Sequence, residues 1–384
     1  MVSIGPYHRS DPNLKAMENQ KLAYLKQVLH RTCEITSLEM YVEALQKLEP
    51  EVRKCYSEPI NLNSEQFIEM MLIDGFFIVE LFRKNSKDVL IEENDPIFYF
   101  SSRVARVMRD LILLENQIPM SVLQTLFDLS ENPKSGSSFA LIQMALNFFN
   151  TLIPNGINKY PQEKNTVTHN HLVDLLCYTL SVYLPKPLIM PALSSAPTLS
   201  SAQESLPPVM ELQCSGVQFK MGGKSDSLIH IKFDKGVFEI PQLCITDHTN
   251  SFFRNLIAYE QCHYRGIPYI TSYAILMDYL IDSADDVALL RRHKIIINQL
   301  GNDEKVSSLF NDLCHGISTN GFYYNDLCNK VDGYYKSPYH QWKAQIKHTL
   351  SSNFISVVAA ILLLLLTVWS TVIITLPFFN VVHL

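Results

Sequence analysis

Apolar residues recur at helical spacing through the first 180 residues of the chain. Asn63, with Gln66 three residues later, has the spacing of a capping box and opens the segment SEQFIEMMLIDGFFIVELFRK. One apolar stripe along this segment consists of Phe67, Met70, Met71, Phe77, Ile78 and Leu81. The pattern predicts a central, mostly buried helix. A second long helix is predicted to begin at Asp95-Pro96, run through RVARVMRDLILLE and stop near Pro119.

The composition changes between residues 185 and 208, where six prolines and five serines predict a linker or a long exposed loop. After it, GVQFKMGGKSDSLIHIKFDKGVFEIPQL alternates apolar and polar residues around turn signals, which predicts a small antiparallel sheet. The chain then returns to helical patterns, one of them opened by Ser283 with Asp286 three residues on. We therefore predict a helical part at residues 1–184 and a hairpin-plus-helical part of the same domain at residues 209–348.

A long uncharged segment lies near the C-terminus. From Phe354 to Leu376 the sequence FISVVAAILLLLLTVWSTVIITL has 23 residues without a charge. At about 1.5 Å per residue it would reach about 34 Å, enough for a hydrocarbon core of about 30 Å. The alternative is a buried core helix, but such helices seldom run this far without a polar face. The predicted fold is α+β and mainly α-helical, with a small antiparallel β element and one C-terminal transmembrane helix.

Charges around this segment predict its orientation. Lys336, Lys343 and Lys347 precede it, whereas only His383 and the terminal carboxylate follow, so the positive-inside rule places the bulk of the chain in the cytosol. Lys343 and Lys347 are expected to hold the cytosolic end near anionic lipid. The chain has no N-x-S/T glycosylation acceptor, and its eight cysteines are scattered. Both features favour the cytosolic side.

Composition and motifs exclude several classes of protein. The 384 residues are 47% hydrophobic with a net charge of -6, which is typical of a folded protein and argues against nucleic acid as a partner. Met221-Gly222-Gly223-Lys224-Ser225 resembles a phosphate loop, but Gln218 stands where a Walker loop needs glycine. Metal-ligand spacings and signatures of nucleotide, protease or hydrolase sites are also missing. We predict no catalytic, cofactor-binding or metal-binding residues, and no cofactor.

One carboxylate falls inside an apolar stripe. Asp74 should face the core, where a buried carboxylate needs a partner. One interpretation is a catalytic carboxylate with a raised pKa. The other, which the sequence favours, is a structural ion pair between helices, because no nucleophile or second acid accompanies Asp74. We predict a structural polar network that consists of Asp74, Arg109, Glu115, Arg254 and Glu260.

Several ordered blocks resemble a plant-specific family, the domain of unknown function 247. They include VSIGPYHR, MMLIDGFFIVELF, RDLILLENQIP, FFRNLIAYEQC and TSYAILMDYLIDSADDVALLRRHKII. Similar proteins usually carry a further segment before the VSIGPYH block. The resemblance implies no established activity and no catalytic residues. Some members sit at grass self-incompatibility loci, which implies a role in recognition.

The functional prediction combines these observations. We expect a membrane-anchored plant interaction or signalling protein that is not an enzyme and whose partners are membrane lipid, through the C-terminal helix, and another protein. One alternative is a tail-anchored enzyme, which would require the five polar network residues to converge in an open pocket. Another is a self-assembling structural protein, which would require an exposed apolar patch.

Overall fold

The computed structural model describes residues 1–9, 12–131, 138–153, 168–185, 206–223, 227–263, 266–317, 321–338 and 361–371. A 3-10 helix at Pro12–Met17 precedes the helices of the first half, which are α1 (Glu18–Thr32), α2 (Leu38–Lys54), α3 (Ser64–Asn85), α4 (Ser101–Leu111), α5 (Met120–Leu129), α6 (Ser138–Phe149) and α7 (Leu172–Ser181). The helices of the second half are α8 (Val209–Cys214), α9 (Thr249–His263), α10 (Tyr269–Leu280), α11 (Ala284–Arg292), α12 (Asp303–Leu313) and α13 (Asn325–Tyr335).

Helix α3 lies at the centre of the first half, as predicted. The Asn63 side chain accepts a hydrogen bond from the Gln66 N–H (2.8 Å), and the Gln66 side chain accepts one from the Asn63 N–H (3.3 Å). The predicted capping box is therefore confirmed. Helices α1, α2, α5 and α6 all pack on α3. Edge-on and tilted aromatic contacts join it to its neighbours, with ring centroids 5.5 Å apart for Tyr24 and Phe77 and 5.0 Å for Tyr41 and Phe76.

The second long helix ends earlier than its sequence pattern predicts. Helix α4 stops at Leu111, and a loop at residues 112–119 leads to α5. Two side chains of this loop satisfy the carbonyls that the helix end exposes. Asn116 Nδ2 donates to the Asp110 carbonyl (2.9 Å), and Gln117 Nε2 donates to the Leu111 carbonyl (2.7 Å). The loop therefore has a fixed shape, and it brings Gln117 back against the helix end.

The strands form two small sheets. Strands β1 (Gln218–Met221), β2 (Lys232–Asp234) and β3 (Val237–Ile240) lie in the order β1-β3-β2, and β4 (Leu243–Ile245) pairs with β5 (Ile296–Asn298). Lys235 and Gly236 have positive φ, which suits a tight hairpin, and β2 and β3 are antiparallel. Strand β1, however, pairs parallel to β3. The prediction of an antiparallel sheet is therefore wrong for this pair, because β1 and β2 are not neighbours and lie on opposite edges of β3.

One hydrophobic core extends from Val2 to Val331 and includes both halves of the chain. Helix α7 of the first half packs on α9 of the second. The side chain of Asn255 in α9 accepts a hydrogen bond from the Leu114 N–H (2.9 Å) and so fixes the loop after α4. Residues 186–205, which make up most of the predicted linker, lie outside the described residues.

The prediction of a C-terminal transmembrane helix is contradicted. None of the helices in the described ranges is long and apolar enough to cross a membrane. Within the predicted span, the structure describes residues 361–371, which are helical. The rest of Phe354–Leu376, with Lys343 and Lys347, lies outside the described residues. The single-pass membrane localisation predicted from this span is contradicted with it.

Residues 2–5 form a segment that lies in the core without belonging to a helix or a strand, and we call it the N-terminal insert. Side chains satisfy its backbone polar groups. Asp110 accepts from the Val2 N–H (2.8 Å), and Asp74 accepts from the Gly5 N–H (2.9 Å). Asn116 accepts from the Ile4 N–H (2.6 Å) and donates to the Val2 carbonyl (3.0 Å). The Lys21 ammonium donates to the Ser3 carbonyl.

Gly5 provides a test of how closely this insert fits. Its φ is +74, and a Cβ at this position would lie 2.8 Å from the Gln117 carbonyl oxygen. We expect Gly5→Ala to lower the free energy of unfolding by about 2–4 kcal/mol, through left-handed strain plus the backbone clash. Gly301 has a similar φ of +79, but a Cβ at this position would have no other atom within 4 Å. Gly301→Ala therefore measures the left-handed strain alone and should lower the free energy of unfolding by about 1–2 kcal/mol. Urea denaturation measures both, and equal losses would show that the insert has room for a side chain.

Candidate functional site

A cleft of about 650 Å³ opens beside the N-terminal insert. Three tyrosines, Tyr7, Tyr56 and Tyr259, line it, and we call it the tyrosine cleft. The other lining residues are Cys55, Ser57, Glu58, Leu114, Glu115, Gln117, Ile118, Pro119, Asn170, His171 and Cys262. They come from five separate stretches of chain, which the shared core brings together.

The near wall depends on the loop after α4. Tyr56 follows the end of α2, and its hydroxyl donates to the Gln117 carbonyl (3.2 Å). The ring of Tyr7 meets the ring of Tyr56 edge-on, with centroids 5.8 Å apart, and the Tyr7 hydroxyl lies 3.4 Å from Ser57 Oγ. Because Gly5 approaches the same Gln117 carbonyl, the insert and this wall share one backbone contact.

The far wall is built around the start of α7. His171 caps this helix, with Nδ1 accepting from the Asp174 N–H (3.3 Å). A neutral ring that accepts at Nδ1 carries its proton on Nε2. The ring of His171 meets Tyr259 of α9 edge-on at 5.0 Å. Burial, together with the nearby Asp174 carboxylate, raises the pKa of Tyr259, so its hydroxyl stays protonated.

The charged side chains that line the tyrosine cleft are acidic. Glu58 and Glu115 are exposed, and the described lining residues include no lysine or arginine. Nε2 of His8 lies 3.4 Å from a Glu115 carboxylate oxygen, beside the lining. Oε1 of Gln117 is buried and has no hydrogen-bond partner among the described residues, while the amide nitrogen donates to the Leu111 and Leu113 carbonyls. The described lining of the cleft therefore carries negative charge from Glu58 and Glu115.

Two free, exposed cysteines, Cys55 and Cys262, also line the cleft. The Cys55 thiol donates to the Glu51 carbonyl (3.5 Å). Burial of this sulfur and the nearby Glu51 carboxylate raise the pKa of Cys55. A raised pKa disfavours the thiolate, which is the nucleophilic form. Within the described residues, no group of three or more His, Cys, Asp and Glu side chains is placed to hold a metal ion.

Asp74 lies beneath the insert, away from the cleft lining. Its carboxylate oxygens pair with the Lys21 ammonium (2.7 Å) and the Gly5 N–H. Both charged side chains are at most 2% exposed. Burial raises the pKa of Asp74, and Lys21 and the Gly5 N–H act in the opposite direction. The contacts are those of a structural ion pair, although the lysine comes from α1 and was not among the predicted partners.

The other four predicted residues lie apart. Arg109 is 3.9 Å from Asp110, and Glu115 lies at the cleft. Glu260 accepts from the Ile270 and Thr271 N–H groups (2.9 and 2.7 Å) and so caps α10, while burial raises its pKa. Arg254 is exposed and donates to the side chain of Asn250 (2.8 Å) and the carbonyl of Asp312 (3.3 Å). Across the described part of the chain, no hydrogen bond or ion pair joins any two of the five.

A second buried charge network, which was not predicted from the sequence, surrounds the end of α3. Glu80, fully buried, pairs with Arg31 (2.6 Å) and lies 3.4 Å from Arg83. Lys84 pairs with Asp95 (2.8 Å), which also accepts from the Tyr24 hydroxyl (2.8 Å). The signal was present in the sequence, because ELFRK places three charges at the end of an otherwise apolar segment.

Comparisons with known proteins give matches over most of the chain. A family model described as a plant protein of unknown function, DUF247, matches residues 1–366. The UPF0481 protein At3g47200 of Arabidopsis thaliana is 30% identical over 402 residues, which cover 99% of this chain and 83% of the relative. The putative UPF0481 protein At3g02645 of the same plant is 23% identical, over 95% of this chain and 84% of the relative. No solved structure gives a significant match.

The ion pair beneath the insert can be tested by removing its cation. We expect Lys21→Met to destabilise the fold by about 3–5 kcal/mol, because it leaves the Asp74 carboxylate buried without a countercharge. Lys54 provides the matched control, since it pairs with Glu51 at the same 2.7 Å but both side chains are at least 70% exposed. Lys54→Met should cost less than about 1 kcal/mol. Denaturant unfolding compares the two, and similar losses would contradict a stabilising buried pair.

The pKa of Cys55 can be tested by alkylation with iodoacetamide, which reacts with the thiolate. Near neutral pH, Cys55 should react several-fold more slowly in the folded protein than in the unfolded chain, and the difference should narrow above about pH 9. Limited access alone would slow the reaction by the same factor at every pH. Glu51→Gln should speed the reaction at neutral pH. Mass spectrometry of the labelled peptide gives the rates, and a pH-independent ratio would contradict the raised pKa.

Proposed function

Since the chain belongs to the DUF247 family of plant proteins, we propose that it acts as a binding protein whose tyrosine cleft receives a segment of another protein. The supporting observation is the cleft itself. It combines about 650 Å³ of space, three tyrosines, apolar side chains of the 114–119 loop and a few polar groups. This mixture is typical of sites that bind a ligand through apolar contact and orient it through polar groups.

The state of the polar groups favours binding over catalysis. The Cys55 thiol is shifted away from the nucleophilic form, and the Tyr259 hydroxyl is held protonated. Two of the buried carboxylates, Asp74 and Glu260, form a structural ion pair and a helix cap. A non-catalytic role therefore accounts for more of the described side chains than an acid-base or thiol mechanism does.

The walls of the cleft are held in place before a ligand binds. The Tyr56 hydroxyl donates to the Gln117 carbonyl, and His171 Nδ1 accepts from the Asp174 N–H at the start of α7. The side chain of Asn255 accepts from the Leu114 N–H in the loop after α4. A preformed site spends less of its binding free energy on ordering its own side chains. The arrangement suits selective recognition of a short segment.

The proposal is tested by blocking the cleft. Cys262 is exposed near the end of α9 and lines the cleft, so Cys262→Trp fills part of the space. Cys214 is exposed at the end of α8 and is not a lining residue, so Cys214→Trp is the matched control. Selection from a displayed random peptide library should enrich shared sequences on the wild type and on the control. The blocked variant should bind the enriched peptides about tenfold more weakly or worse.

The cysteines report where an enriched peptide binds. Saturating peptide should protect Cys55 and Cys262 from alkylation and leave Cys33 and Cys214, which are exposed elsewhere, unprotected. Thermal unfolding checks that each variant is folded. Enrichment that is equal on the blocked variant, or peptides that leave Cys55 and Cys262 reactive, would overturn the proposal.

A further inference from the structure

We infer, building on the proposed function, that the segment bound in the tyrosine cleft carries lysine or arginine side chains among apolar ones. The first observation is the sign of the charge. Two lining residues, Glu58 and Glu115, are acidic, and the described lining includes no lysine or arginine to balance them. Complementary charge raises association rates and rejects partners of the wrong sign.

The second observation is that both carboxylates are open to a ligand. Glu58 and Glu115 are exposed, and Glu115 also lies 3.4 Å from His8 Nε2. A carboxylate offers hydrogen-bond acceptors, and an ammonium or guanidinium group has only donors to offer. A cationic side chain is therefore the type that complements the two carboxylates.

The third observation is the aromatic character of the walls. Tyr7 is 39% exposed and packs edge-on against Tyr56, and both line the cleft. A cation within about 6 Å of a tyrosine ring is attracted to its face, and the attraction is stronger where water is excluded. Tyrosine rings beside carboxylates therefore favour a cationic side chain over an anionic or neutral polar one.

The size and apolar content of the cleft favour a protein segment over a free cation. Leu114, Ile118 and Pro119 contribute apolar surface, and about 650 Å³ is far more than an ammonium group fills. A peptide supplies apolar side chains for this surface along with its cations. Phosphate-bearing ligands do not suit the cleft, because a phosphate would meet two carboxylates and, among the described lining residues, no lysine or arginine.

The inference is tested by reversing the charge of the cleft. The probes are peptides selected from the random library on the wild type, and we expect them to contain more lysine and arginine than the starting library. Glu58→Lys combined with Glu115→Lys should weaken their binding about tenfold or more. The control is the double variant Glu43→Lys with Glu93→Lys, which changes the net charge by the same amount as the cleft variant but at exposed sites outside the lining. It should alter peptide binding by less than about threefold.

The outcomes separate this inference from the proposed function. Selected peptides that protect Cys55 and Cys262 from alkylation but are neutral or acidic, or that bind both double variants equally, would overturn the inference and leave the cleft as a peptide site. Spermine is the second probe. If spermine alone protects both cysteines as strongly as the selected peptides do, the ligand is a small polyamine and the inference of a protein segment is wrong. If no peptide protects them, the proposed function itself fails.

Discussion

Hydrogen bonds between side chains and the buried backbone of residues 2–5 are the constraint on which the first half of the structure depends. A segment outside any helix or strand has no regular ladder to satisfy its N–H and C=O groups, and each one left unpaired in a core is costly. Asp74, Asp110, Asn116 and Lys21 supply the missing partners. They belong to α1, α3, α4 and the loop after α4, so this short stretch of backbone fixes three helices and a loop relative to one another.

The position of residues 2–5 also determines the shape of the tyrosine cleft. The Gln117 carbonyl lies against Gly5 on one side and accepts from Tyr56 on the other, and Asn255 ties the same loop to the second half of the chain. The insert therefore sets the position of a wall that it does not itself line. Binding chemistry and fold stability are coupled here through one loop of eight residues, 112–119.

Sequence reasoning was successful where the determinant is local. The capping boxes at Asn63 and Ser283 and the burial of α3 follow from spacing over a few residues. It failed where partners are distant. The lysine that pairs with Asp74 lies 53 positions away, the lining of the cleft is drawn from five stretches of chain, and β1 pairs with β3, a strand that does not follow it directly in the chain. The predicted membrane span was wrong as well, since none of the described helices is long and apolar enough to cross a membrane.

The insert also has a consequence for how the protein is made. The Val2 N–H finds its acceptor 108 residues later, and the Val2 carbonyl finds its donor 114 residues later. At about 5–20 residues per second, a ribosome needs on the order of 5–20 s to deliver those partners. During that interval Val2 and Ile4 have no core to enter, so docking of the insert must wait for α4 and for the loop that follows it.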